Sequence, residues 1–143
     1  MQVVRSVDRH VSLAALQAWG DALGATLEPG DLIALRGNLG AGKTTLAQAI
    51  ARGFGVRAEV TSPTYALVHQ YVGVRGTLWH LDLYRISSPN DLLQLGWDEI
   101  LAGDAAVMVE WPERAGSALP SERLDVQLET VPGDDAVRRL VVP

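Results

Sequence analysis

Between Ser12 and Pro29 the apolar residues of "LAALQAWGDALGATL" recur every three or four positions. That spacing predicts a helix with one buried face, running to about Leu27. Ser12 is placed to cap it, and Pro29-Gly30 ends it. The period then changes. "DLIAL" (31–35) is a short continuous apolar run between turn residues, as in a strand buried on both faces. "KTTLAQAIARGF" predicts a second helix, closed by Gly53 and Gly55. "YALVHQYV" and "TLWHLDLY" are strand-like and meet across Gly73 and Gly76, which predicts a hairpin. Ser88-Pro89 opens a short helix, with Ser at the cap and Pro in the first turn. "AAVMVE" (105–110) reads as another buried strand. "RLDVQLETV" and "VRRLVVP" alternate, and predict a closing antiparallel pair across Gly133, Asp134 and Asp135. Helices and strands alternate early and strands dominate late, so the pattern predicts a layered α/β domain with a mixed sheet.

Size and composition narrow this picture. At 143 residues, one domain over 1–143 is expected. No run approaches the length of a membrane span, and "MQVVRSVDRH" has no apolar stretch of the secretory kind. The absence of cysteine excludes disulfides, thiolate metal sites and thiol catalysis, and fits a cytoplasmic location. Net charge is −5 and the arginines are scattered, so strong direct binding to nucleic acid is disfavoured.

One cation stands apart. Lys43 is the only lysine, and the rest of the 12 Lys+Arg residues are arginine. It falls inside Gly37-Asn38-Leu39-Gly40-Ala41-Gly42-Lys43-Thr44, which matches G-x-x-x-x-G-K-[ST] at every fixed position. Chance yields this pattern in on the order of 0.5% of chains of this size. Here it also joins a predicted strand to a predicted helix, as its chemistry requires. Glycines let successive N–H groups turn inward as an anion nest, and the helix start adds its positive dipole end. The lysine reaches the outer phosphates of a nucleotide, and the Thr44 hydroxyl is a ligand for Mg²⁺. A compact ammonium on a flexible stem fits inside such a loop, where a planar guanidinium is larger and differently shaped. The expected fold sharpens to a P-loop NTPase-like three-layer domain, its sheet mainly parallel with antiparallel additions.

A P-loop site needs a carboxylate at a nearby strand end. Asp82 ends "TLWHLD" and Glu110 ends "AAVMVE", and spacing alone leaves the choice between them open. Thr61, Ser62 and Thr64 set hydroxyls around a proline-stiffened turn that could serve as a switch segment, although spacing alone favours a plain polar turn. His10, His69 and His80 show no metal-ligand spacing, and structural or surface roles are expected for them. Trp111 follows Glu110 directly, and suits either core packing or stacking on a base. No N-K-x-D element is present to select guanine, so ATP (and its product ADP) is the expected nucleotide by elimination. A small-molecule kinase would need an arginine-bearing lid, and no segment of lid length is visible. A non-catalytic nucleotide-binding module is the other alternative.

Together, "GNLGAGKTTL", "TSPTYALV", "HLDLYR" and "VEWPER" resemble the bacterial TsaE family, from about Trp19 to Pro120. The resemblance implies a P-loop ATPase that supports turnover of the TsaB–TsaD pair, which attaches threonylcarbamoyl to the adenosine beside the anticodon of tRNAs. It implies that Gly37 and the run Gly40, Ala41, Gly42, Lys43, Thr44 and Thr45 hold phosphates and that Thr44 binds Mg²⁺. It implies that Glu110 and Asp82 are the metal-associated and essential acids, and that Trp111 and Glu113 lie near the nucleotide. Thr61, Ser62 and Thr64 match its switch-like loop, and Arg85 follows its "DLY". Asn38 stands where the family commonly shows Asp, a change that leaves phosphate binding itself intact. Because shape as well as charge matters at position 43, Lys43→Arg is expected to lose ATP turnover; near-normal hydrolysis by that variant in a phosphate-release assay would refute the shape argument.

Overall fold

The computed structural model describes residues 5–38, 40–60 and 67–143. In chain order it contains β1 (Val7–Ser12), α1 (Leu13–Thr26), β2 (Leu32–Arg36), α2 (Lys43–Phe54), β3 (Val68–Gly73) and β4 (Gly76–Asp82). Then come α3 (Pro89–Gln94), α4 (Trp97–Ala102), β5 (Ala106–Glu110), a 3-10 segment (Pro112–Ala118), β6 (Leu124–Val131) and β7 (Asp134–Val142). The strands form one sheet in the order β1-β7-β6-β2-β5-β4-β3. The central pairings, β6 with β2, β2 with β5 and β5 with β4, are parallel. The outer pairings are antiparallel. The expected α/β architecture is therefore present, with a parallel centre and antiparallel edges.

The period-two rule explains the two cores. On β2, Ile33 and Leu35 join one buried cluster while Leu32 and Ala34 join the other. The first cluster also holds Leu16 and Leu23 of α1, and Leu46, Ile50 and Phe54 of α2. The second packs Leu81, Val107 and Val109 against Leu92, Trp97 and Ile100 from the short helices. A central strand covered on both faces has to be apolar throughout, and "LIAL" is.

Helix α1 starts where expected, with the Ser12 hydroxyl accepting from Ala15 N at 3.1 Å. Its last carbonyls are satisfied from far along the chain. Arg75 donates to Gly24 O at 3.0 Å, and to Ala25 O and Leu27 O at 2.7 Å each. Helices α1 and α2 touch backbone to backbone. A Cβ on Gly24 would come within 2.0 Å of Ile50 O, and one on Gly53 within 2.1 Å of Asp21 O. Arg52 bridges the same crossing through two 3.0 Å hydrogen bonds to Asp21.

Three elements were not anticipated: β1, α4 and the 3-10 segment. "VDRHVS" forms β1 although most of its side chains are exposed, because its backbone pairs with β7 from Val7↔Val142 to Ser12↔Val137. Helix α4 is too short to display a period. The crossing of α1 and α2 leads to a prediction: Gly24→Ala should destabilise the protein by about 2–3 kcal/mol, lowering its thermal midpoint by roughly 5–10 °C. A melting curve indistinguishable from the parent's would overturn the backbone-contact account.

Candidate functional site

Parallel pairing brings three strand ends to one edge of the sheet. In register, Glu110 lies beside Leu35 of β2 and beside Asp82 of β4. The loop leaving β2 turns into α2 at the same edge, so Lys43 arrives next to both acids. Gly42 makes that turn with φ 102°, a left-handed conformation that favours glycine, and α2 has no side-chain N-cap. The first amides of α2 are therefore left open to an anion. Gly37 serves a different purpose: a Cβ there would sit 2.6 Å from Leu128 O, so the loop can lie against β6 only with glycine at that position.

A cavity of about 570 Å³ opens at this edge, walled on one side by Lys43, Thr44, Thr45, Asp82, Glu110 and Trp111. Lys43 is 6% exposed, yet its Nζ has no hydrogen-bond partner among the described residues. Burial pushes its pKa below the ordinary lysine value, against the opposing pull of Glu110, Asp82 and Glu113. The face of the Trp111 ring lies over the ammonium, 3.9 Å from Nζ to the ring centroid. Trp111 itself has φ 55° and ψ 50°, an outlier for a bulky residue, between Glu110 and Pro112. Tyr84 packs against the indole at a centroid distance of 4.9 Å.

Both acids are buried and held. Asp82 Oδ1 accepts from Tyr84 N at 2.9 Å. Glu110 Oε2 lies 2.7 Å from Nε2 of His80, which is fully buried. His80, for which a structural or surface role was expected, is buried and in direct contact with a site carboxylate. "HLD" puts His80 on the face of Asp82, since residues two apart on a strand share a face, but only the β4–β5 register brings it to Glu110.

The remaining expected residues divide. Thr44 and Thr45 line the cavity, as do Gly40 and Gly42. Gly37, Ala41 and Glu113 border a separate polar hollow on the far side of the loop, where Glu113 meets Arg36 at 3.5 Å. Arg85 is exposed and outside the cavity. Thr61, Ser62 and Thr64 lie outside the described residues. The opposite wall went unforeseen. It consists of Leu13 and Leu16 from α1, with Asp135, Ala136 and Arg138 from the β6–β7 hairpin. Arg138 also donates to Gly40 O at 3.2 Å, tying hairpin to loop. No linear motif announces a wall built from residues more than ninety positions apart.

Among the described residues, no group of three or more acidic or histidine side chains forms a metal cage of its own. Two carboxylates beside a threonine hydroxyl and an anion-receptive loop suit a hard cation that brings part of its own coordination shell.

Fold and site together define a P-loop-type α/β protein. The crystal structure of Bacillus subtilis YdiB superposes with a TM-score of 0.79 at 30% identity, covering 99% of this chain and 87% of that one. The model of the family described as threonylcarbamoyl adenosine biosynthesis protein TsaE matches residues 10–140, and the chain belongs to that family. Its relatives include the TsaE proteins of Treponema pallidum (39% identical, over 79% of this chain and 83% of that protein) and Bacillus subtilis (35%, 89% and 78%). The Rickettsia bellii protein is 33% identical over 94% of this chain and 93% of its own length. All three are named as tRNA threonylcarbamoyladenosine biosynthesis proteins.

The burial of Lys43 has a measurable consequence. A lowered lysine pKa means that the unfolded chain holds the extra proton more readily, so the charged form costs stability at neutral pH and the cost fades as pH rises towards about 10. Lys43→Met should therefore melt a few degrees higher than the parent near pH 7, with the gap closing in alkaline buffer. A lower midpoint for the variant at pH 7 would contradict this.

Proposed function

We propose that this protein is an ATPase of the tRNA threonylcarbamoyladenosine pathway, binding Mg²⁺-ATP in the cavity at the head of α2 and hydrolysing it to support turnover of a TsaB–TsaD complex. The observation that carries the reading is the buried Lys43 ammonium, which has no hydrogen-bond partner among the described residues and lines a cavity of nucleotide size. Burying an ammonium without a hydrogen bond is costly, and a phosphate tail is a partner that the surrounding loop suits.

When bound, Mg²⁺ would draw charge from the outer phosphates and make the terminal phosphoryl group easier to attack. The chain supplies the rest. Lys43 and the open amides at the start of α2 bind and orient the anionic tail. The Thr44 hydroxyl, Asp82 and Glu110 would hold the cation, and the two carboxylates also orient the attacking water. Trp111 excludes bulk water from the ammonium, which strengthens its attraction for phosphate. Its position over Nζ favours a role at the phosphate end of the site over stacking on the base. Leu13 and Leu16 offer an apolar surface on the opposite wall, suited to the less polar part of a nucleotide.

Membership of the TsaE family supports the pathway, and a cytoplasmic location is compatible with the tRNA substrate of that pathway. No described helix is long and apolar enough to cross a membrane. With 17 acidic against 12 basic residues, the chain suits docking on protein better than on the tRNA itself.

The test is a reconstitution with purified TsaB, TsaD and tRNA, followed over many turnovers. Sustained modification is expected with the parent chain, and little beyond the first rounds with Asp82→Ala. Lys43→Ala should weaken Mg²⁺-ATP binding roughly 10- to 100-fold in calorimetry, the worth of one charge-assisted contact of about 1.5–3 kcal/mol. Undiminished multi-turnover modification with the Asp82 variant would overturn the catalytic reading, and the absence of any nucleotide heat with the parent would overturn the site.

A further inference from the structure

Glu110 is the acid that closes β5, and its described side-chain partner is the imidazole of His80, at 2.7 Å. The register accounts for the meeting. Asp82 pairs with Glu110 and His80 with Met108 across β4 and β5, so all four side chains point to the same sheet face and His80 lies diagonally across from Glu110. Both partners of the contact are buried, with His80 at 0% and Glu110 at 3% exposure. The other ring nitrogen, Nδ1, is buried with no hydrogen-bond partner among the described residues.

That asymmetry identifies the donor. A proton on Nδ1 would be a buried donor without an acceptor, which costs more than a bare ring nitrogen. The proton therefore sits on Nε2, and Nε2–H donates to Glu110 Oε2. A glutamate at the end of a strand has three side-chain torsions to fix, and a carboxylate that must meet a cation and a water tolerates little angular error. Among the described residues, the imidazole holds one of the Glu110 oxygens.

We infer that His80 is a positioning residue for Glu110: by donating from Nε2 it fixes the carboxylate in the orientation from which Glu110 serves the metal-bound nucleotide. The inference rests on the nucleotide reading above and adds a residue to it. His80 does not line the cavity and has no direct contact with whatever enters there. Its effect therefore passes only through Glu110, and is confined to the part of binding and turnover that depends on the cation.

The experiment compares His80→Leu with His80→Gln, whose amide nitrogen can donate to the same oxygen. Each is titrated with ATP by calorimetry in EDTA and again in Mg²⁺, and single-turnover hydrolysis is followed in parallel. In EDTA, where binding rests on Lys43 and the loop amides, all three proteins are expected to agree within about 2-fold. In Mg²⁺, His80→Leu should lose roughly 10- to 100-fold in the Mg²⁺-dependent gain in affinity and in the hydrolysis step, the usual penalty for removing a group that orients a ligand. His80→Gln should recover most of that loss. Unchanged Mg²⁺ dependence in His80→Leu would overturn the inference alone. Equal losses with and without Mg²⁺ in both variants would also overturn it, by showing a merely structural role. A parent chain that binds no nucleotide would overturn the nucleotide reading and this inference with it. Should both variants fail to fold, the nitrogen-15 spectrum of the parent imidazole decides, with a proton on Nε2 supporting the inference and one on Nδ1 overturning it.

Discussion

A single buried ammonium is the constraint around which the rest of this protein is arranged. Lys43 is 6% exposed, and its Nζ has no hydrogen-bond partner among the described residues. Removing a charge from water without a partner is among the most expensive things a fold can do, and the usual outcome is that the group escapes or loses its proton. Burial does push the pKa of Lys43 down, and movement away from the site is hindered. Its stem leaves the first turn of α2, which is locked against α1 by backbone contact at Gly24 and Gly53. The indole of Trp111 covers the charge at 3.9 Å, and a left-handed backbone at that residue accompanies the arrangement. The remaining relief is electrostatic, from Glu110, Asp82 and Glu113.

The sheet topology decides which groups surround that charge. Parallel strands carry their C-terminal ends to a common edge, so β2, β4 and β5 deliver the loop, Asp82 and Glu110 together. The antiparallel edge has another task. Because β6 runs parallel to β2, the β6–β7 hairpin returns to the side of the loop, and Arg138 reaches Gly40 O from it. At Gly37 the loop lies so close to β6 that a Cβ would meet Leu128 O. The same pairing thus shapes the loop from behind and places Asp135 and Ala136 on the far wall.

This division explains what could be read from the chain beforehand. The loop, Lys43, Thr44 and the two strand-end acids were legible because each carries its chemistry in a short run, and short runs keep their local shape in the fold. The elements from α1 to α3 were legible for the same reason: a cap, a period or a glycine marks each one. Strand β1 was not, because an edge strand with an exposed outer surface needs no apolar alternation, and its stability comes from backbone pairing to β7 at the other end of the chain. His80 was visible as a residue but not as a partner. Its meaning depends on the register between β4 and β5, which one strand alone does not encode. The wall of Leu13, Asp135 and Arg138 is further still from any local signal.

The arrangement of charges also answers why the site does not neutralise itself. An ammonium and two carboxylates confined together would ordinarily collapse into ion pairs, and a closed pair would leave nothing for a ligand. Each acid is instead engaged elsewhere, Asp82 by the Tyr84 amide and Glu110 by His80, while Trp111 occupies the face of Lys43. A backbone amide, an imidazole and a π-face thus take the places that direct pairing between Lys43 and the acids would fill. Attraction at a distance is retained, as the pull of both acids on Lys43 shows, but neither carboxylate receives a hydrogen bond from it. A site held open in this way is matched to a ligand that brings both signs of charge: an anionic tail for the ammonium, and a hard cation for the carboxylates.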